Sequence, residues 1–170
     1  MADVRGFPPI AHDSATVLIL GSMPGRESLT RQQYYAHPRN AFWPIICALY
    51  DLAEAGYEER VSELAENGVA VWDVLQACFR CGSLDSNIDD STIVTNDFPS
   101  FFASHRKIAR IFFNGAKAES VYRRYVLPQL ESDLASLPLM RLPSTSPAHA
   151  GMSLAQKTKA WKVVLDKGLE

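Results

Sequence analysis

Thr16-Val17-Leu18-Ile19-Leu20 runs directly into Gly21-Ser22-Met23-Pro24-Gly25. Five residues rich in β-branched and aliphatic side chains read as a strand buried on both faces, and such strands belong to parallel sheets covered by helices. The glycines and proline that follow end the strand and open a loop whose backbone can approach a ligand closely. Val69–Trp72, Arg110–Phe113 and Leu139–Leu142 read as further strands of this kind.

Helices are predicted between them at Ala41–Leu52, Tyr57–Asn67, Phe98–Ser104 and Ala116–Leu127. Asn67-Gly68 supplies a helix stop, and Asn96 or Asp97 a cap ahead of Pro99 in the first turn. Ser153-Leu154-Ala155-Gln156 fits a capping box that opens the last helix, with Leu154, Trp161, Val164 and Leu165 on one apolar face. Strands alternating with helices predict an α/β chain: three α/β/α layers around a central, mainly parallel four-stranded sheet. Ligands of such sheets bind beyond the carboxyl ends of the strands. The loops 21–25, 114–115 and 144–150 all leave strands at that edge.

At 170 residues, 47% hydrophobic and 21% charged, the chain fits one domain spanning 1–170. No apolar run reaches membrane-spanning length and no signal-peptide pattern opens the chain, so a cytoplasmic protein with no membrane partner is expected. A net charge of -2 gives no overall sign of a polyanion partner, although small basic clusters such as Arg106-Lys107 and Arg123-Arg124 permit a local one. The three cysteines, Cys47, Cys78 and Cys81, read as reduced thiols. Cys78 and Cys81 form a CxxC pair, but no second pair at matching spacing completes a zinc site or a cluster.

The first loop lacks the Lys-Ser/Thr ending of a phosphate loop and the spacing of a dinucleotide fingerprint, and no Gly-x-Ser-x-Gly elbow is present. Nucleotide hydrolysis, dehydrogenase and serine-hydrolase chemistry therefore lose their usual markers. Downstream stands Tyr34-Tyr35-Ala36-His37-Pro38-Arg39-Asn40-Ala41-Phe42-Trp43. Aromatic faces stack on flat heterocycles, and an Asn amide orients water without carrying charge. With no paired carboxylates in the site loops, the expectation is a largely neutral pocket for a base.

These segments resemble the uracil-DNA glycosylase superfamily. The likeness is to its hypoxanthine-DNA (deoxyinosine) branch in Gly21–Gly25, Tyr34–Asn40, Val71–Val74, Gly82–Ser86 and Ser144-Thr145-Ser146-Pro147, in order over nearly the whole chain. The resemblance implies a monofunctional DNA glycosylase that flips a damaged base, hypoxanthine first, out of DNA and hydrolyses its N-glycosidic bond. The implied partner is DNA containing deaminated bases, the protein a monomer, and no metal or organic cofactor is required. A uracil/thymine mismatch glycosylase and a non-catalytic binder of DNA or nucleobase are the alternatives.

Residue by residue, the resemblance gives Asn40 the attacking water, and Ser22 a lesser catalytic place as a water holder that is a poor base. Asn40 also suits a helix cap at Ala41. Tyr35 is expected to stack on the flipped base, with Gly21, Met23, Pro24, Gly25, His37 and Asn114 around it. Arg39 and Lys117 are candidate phosphate contacts. The loop Ser144, Thr145, Ser146, Pro147, Ala148 and His149 resembles the motif that grips the target strand, with His149 where the branch commonly has Asn. Ser83, Asp85 and Ser86 suit either a DNA-facing loop or a self-capped turn.

Overall fold

A computed structural model describes residues 3–52 and 56–166. Among them seven strands, β1 (Asp3–Arg5), β2 (Val17–Gly21), β3 (Val69–Asp73), β4 (Leu75–Arg80), β5 (Ile88–Thr95), β6 (Arg110–Asn114) and β7 (Leu139–Leu142), form two sheets. Their helices are α1 (Arg26–Arg31), α2 (Phe42–Tyr50), α3 (Tyr57–Glu66), α4 (Phe98–Ser104), α5 (Ala116–Val121), α6 (Ser132–Ala135) and α7 (Leu154–Trp161).

The four apolar runs build the sheet β3-β2-β6-β7, parallel throughout. β2 and β3 are buried along their whole length, which is why they read as unbroken apolar runs. Successive strand residues face opposite sides. On one side Phe113 packs against Tyr122, which lies edge-on to Phe98 of α4. On the other, Arg110 lies over Phe112 and donates to the carbonyls of Val163 and Val164 just after α7. There Phe42 of α2 meets Trp161 of α7, and Trp43 meets Tyr57 of α3. The expected three-layer architecture is present.

Several boundaries move. Asp51 turns left-handed (φ 52°) and closes α2 two residues before Leu52. α5 loosens into a π turn at Tyr122–Val126 and a 3-10 turn at Leu127–Gln129, where Pro128 has no N–H to continue the ladder. The capping box at Ser153 and Gln156 is present. Of the face assigned to the last helix, Trp161 and Val164 are buried; Leu165 is 39% exposed because α7 gives way to a 3-10 turn at Lys162–Leu165 that rotates it off the stripe, and Leu154, in the first turn, is 52% exposed.

The second sheet, β1-β4-β5, is antiparallel and was not expected. β3 passes into β4 across the single residue Val74. At this switch Val74 N–H donates to the Gly21 carbonyl (2.8 Å) and Leu75 N–H to the Ser22 carbonyl (3.1 Å), so the first loop is bound along its backbone to the junction of the sheets. Asn96 fastens the far side, its amide donating to the Asp73 carbonyl at 2.8 Å. No helix among the described residues is long and apolar enough to cross a membrane.

Candidate active site

Beyond the carboxyl edge of the parallel sheet lies a cavity of about 770 Å³. It is lined by the whole first loop, Gly21 to Gly25, by Tyr35, His37, Arg39 and Asn40, by Asn114, and by Ser144 to His149. Every residue assigned to the site from sequence borders it except Lys117, whose ammonium is held by Asp90 at 2.7 Å.

Close approach explains Gly21. A Cβ there would lie 2.5 Å from Asp73 Oδ1 and 2.8 Å from the Tyr35 hydroxyl, so only glycine leaves room for both. Tyr35 itself takes a left-handed backbone (φ 56°), an uncommon conformation for a non-glycine residue that costs energy and turns the ring inward. Phe42 stacks on one face of that ring, with centroids 4.0 Å apart, leaving only the opposite face for a flat ligand. The Tyr35 hydroxyl is buried without a hydrogen-bond partner, and burial, followed by the charge of Asp73, pushes its pKa well above the usual phenol range. Tyr34 packs instead, donating to the Pro8 carbonyl at 2.9 Å.

Asn40 Oδ1 accepts from the Phe42 N–H at 2.9 Å, so Asn40 does cap the entry to α2. The next residue ties two loops together: Ala41 N–H donates to the Thr145 carbonyl at 2.9 Å. Thr145 is in turn gripped by Asn114, which accepts from its N–H and donates to its hydroxyl, both at 2.9 Å. The Asn114 amide is thus committed to holding the last loop. Gly115 (φ 97°) makes the sharp turn needed, since a Cβ there would meet Ser144 Cβ at 3.1 Å. His37 braces its own loop, with Nδ1 accepting from the Arg39 N–H at 3.0 Å.

The expected neutral pocket is corrected by the fold, because three carboxylates border the cavity: Glu27, paired with Arg31 at 3.4 Å, Asp73 and Asp85. Asp73 closes β3 and is only 3% exposed, with Oδ2 unpartnered. Burial, then the charge of Asp85, pushes its carboxyl up to about 7 against the pull of Arg80. Asp85, in the loop after β4, accepts from the Ser22 hydroxyl at 2.6 Å. Beneath both loops Arg80, 1% exposed, donates to the Pro24 carbonyl at 2.6 Å and to the Gly82 carbonyl at 2.9 Å. Ser83 adds a further link, accepting from the Arg26 N–H at 2.9 Å. Asp73 had a readable signal, a charge ending a buried strand at the ligand edge. Arg80 had none, since its segment does not read as an apolar strand.

No group of three or more candidate metal ligands occurs among the described residues. Cys78 is buried and Cys81 exposed, and burial raises the Cys78 thiol away from the reactive thiolate.

A parallel α/β/α core whose carboxyl-edge loops enclose an Asn, a Tyr stacked on Phe42 and a serine-rich loop defines a class, and the family model of the Uracil DNA glycosylase superfamily matches residues 8–165. The chain belongs to that superfamily and is a DNA N-glycosylase, a hydrolase of N-glycosyl bonds. Among similar proteins, a hypoxanthine DNA glycosylase of Methanosarcina acetivorans is 40% identical over 116 residues, 67% of this chain and 72% of that protein. One of Methanosarcina barkeri is 36% identical over the same shares. The solution NMR structure of a candidate uracil DNA glycosylase from Methanosarcina acetivorans matches with a TM-score of 0.76 at 32% identity, covering 97% of this chain and 100% of that one.

Proposed function

We propose that this protein, as one domain acting as a cytoplasmic monomer, excises hypoxanthine from DNA containing deoxyinosine and leaves an abasic site. A base stacked in duplex DNA is out of reach, so the nucleotide must rotate into the cavity. Tyr35 receives the flat base on the ring face that Phe42 leaves free, and Asn40 holds the attacking water. Cleavage sends the bonding electron pair onto the base, while water adds to C1′ and its proton ends, by way of solvent, on the departing base. Ser144 to His149 grip the target strand through hydroxyls and backbone amides, groups suited to phosphate, and Arg39 adds a cation at the rim.

The observation that carries this reading is the latch from Ala41 to Thr145. It holds the water-positioning loop and the strand-gripping loop against one cavity. The names of the two Methanosarcina relatives support hypoxanthine as the base.

The test is an oligonucleotide panel with hypoxanthine, uracil or thymine opposite each normal base, incubated with the protein and cleaved with alkali. Strongest cleavage at hypoxanthine is expected. Stronger cleavage at uracil or at thymine mismatches would transfer the assignment to a mismatch glycosylase, and lesion binding without cleavage would make the protein a binder.

A further inference from the structure

Ser22 donates its hydroxyl proton to a carboxylate that lies 63 residues away in the chain. Asp85 begins a 3-10 turn, Asp85–Asn87, whose cap position is Leu84, and its carboxylate accepts from Ser22 at 2.6 Å. A self-capped turn residue would spend its carboxylate locally. Here the carboxylate is directed across the cavity wall to the first loop. The loop that carries it is fixed from below, because one buried guanidinium, Arg80, ties Gly82 to Pro24. Ser83 ties the same loop to Arg26. Asp85 stays open to solvent on the cavity side although protein surrounds it.

A carboxylate facing a DNA-binding cavity works against binding, since every phosphate of the ligand repels it. Arg80 balances it from below, but on the cavity side it becomes useful when something positive forms in front of it. Along the glycosylase reaction one such species exists. As the C1′–N bond breaks and its electron pair leaves on the base, C1′ and the ring oxygen of the deoxyribose share a positive charge. Asn40 and Ser22 are neutral and cannot oppose that charge. Arg39, near the same cavity, has the wrong sign.

We propose that Asp85 is a catalytic carboxylate that stabilises the cationic sugar, held in place by the Ser22 hydroxyl and the Arg80 clamp. The inference rests on the reading of the cavity as a base-excision site. Asp85 forms no bond and takes no proton: the electron pair goes to the base, and water completes C1′ as described above. Ser22 and Arg80 are positioning residues. Asp73 does not share the role, because it is set behind Gly21 and is nearly inaccessible.

The experiment compares wild type with Asp85→Asn, which keeps shape and hydrogen-bonding reach and removes the charge. Two readouts are used at neutral pH. The first is single-turnover excision from a hypoxanthine duplex. The second is binding to two abasic-site duplexes, one carrying a neutral tetrahydrofuran and the other a pyrrolidine that is protonated and so mimics the cationic sugar. Wild type is expected to bind the pyrrolidine duplex about ten-fold or more tightly than the neutral one. Asp85→Asn is expected to lose that preference and to slow excision by roughly 10²-fold, the scale for losing one preorganised group at a site of developing charge.

A variant that keeps the cation preference, or excises within about three-fold of wild type, overturns the proposal, as does a wild type with no cation preference. A wild type that excises no base defeats the functional reading alone, and the two abasic duplexes still decide Asp85. A merely structural role would weaken both abasic duplexes equally, which also overturns it.

Discussion

β2 and β3 bury every residue, whereas β5 buries Ile88 and leaves Asp89, Asp90, Ser91 and Thr92 exposed. The two sheets supply correspondingly different chemistry. The parallel sheet and the loops leaving it bring the neutral groups Ser22, Asn114 and Thr145, with Ala41, the neighbour of Asn40, latched onto Thr145, and a single carboxyl, Asp73, buried at the end of β3. The antiparallel sheet brings charge: Arg80 closes β4, Asp85 follows it, and Asp90 of β5 holds Lys117. Because β3 runs into β4 with one residue between, the largely neutral half and the charged half share a wall, with Asp73 buried at their junction. Catalysis of a cationic transition state on an anionic ligand calls for this division. On the proposed reading, neutral groups would contact the DNA without repelling it, and the Asp85 carboxylate would meet the sugar only as positive charge appears.

The largest effect is expected from Arg80. It faces Asp73 and Asp85 and bridges two loops, so Arg80→Met leaves the carboxylates without their buried cation. Removing one partner of a buried charged set costs about 3–5 kcal/mol. Urea unfolding should show a loss of that order, and a loss under about 1 kcal/mol would mean that the halves are not joined through this residue.

Asp73 is next. Its carboxyl stands at about 7 against an ordinary 3.8. An acid raised by folding ionises first in the unfolded chain, so the wild type loses stability as pH rises from about 4 and levels off above about 7. At ~1.4 kcal/mol per pKa unit the span is on the order of 4 kcal/mol. Asp73→Asn removes this dependence, so the variant should gain on the wild type across that window in chemical denaturation. Parallel stability curves from pH 4 to 8 would contradict the burial assigned to Asp73.

On the neutral side, Asn40→Ala should slow single-turnover excision roughly 10²–10³-fold while DNA binding is kept, the scale for one polar group at a preorganised site. The lost cap at Phe42 should also cost about 1 kcal/mol in thermal unfolding. Ser22→Ala should slow excision less than Asn40→Ala, and the reverse order would move the centre of the chemistry to the charged side.

The smallest effect concerns Tyr35. Tyr35→Ala should weaken binding to lesion DNA by about 1–3 kcal/mol, as base–aromatic contacts do in single-strand binders, with little change on undamaged duplex. Tyr35→Phe should be near neutral, because the hydroxyl it removes is buried and unpartnered. Equal losses on both DNAs for Tyr35→Ala, in a folded protein, would show that the ring does not read the flipped base.

Much of the fold could be read along the chain. The four apolar runs became the parallel sheet, and helix signals such as the capping box at Ser153 lie where local chemistry puts them. Such features are set by residues within a few positions of one another, through side-chain period and by caps that satisfy exposed backbone groups. β5 escaped the reading because Asp89-Asp90-Ser91-Thr92 carries no apolar run, its outer face being left to water. The first loop and the last were recognisable as short motifs for the same local reason. Contact between Ser22 and Asp85, the burial of Asp73 behind Gly21, and the reach of Arg80 to Pro24 were not. Each joins residues distant in the chain, and whether a charge is paired, buried or solvated depends on which backbone the fold sets beside it. Apolar periodicity was enough to specify the layers and the edge where the cavity opens. The charge inside that cavity was settled only when Val74 carried the chain from one sheet into the other.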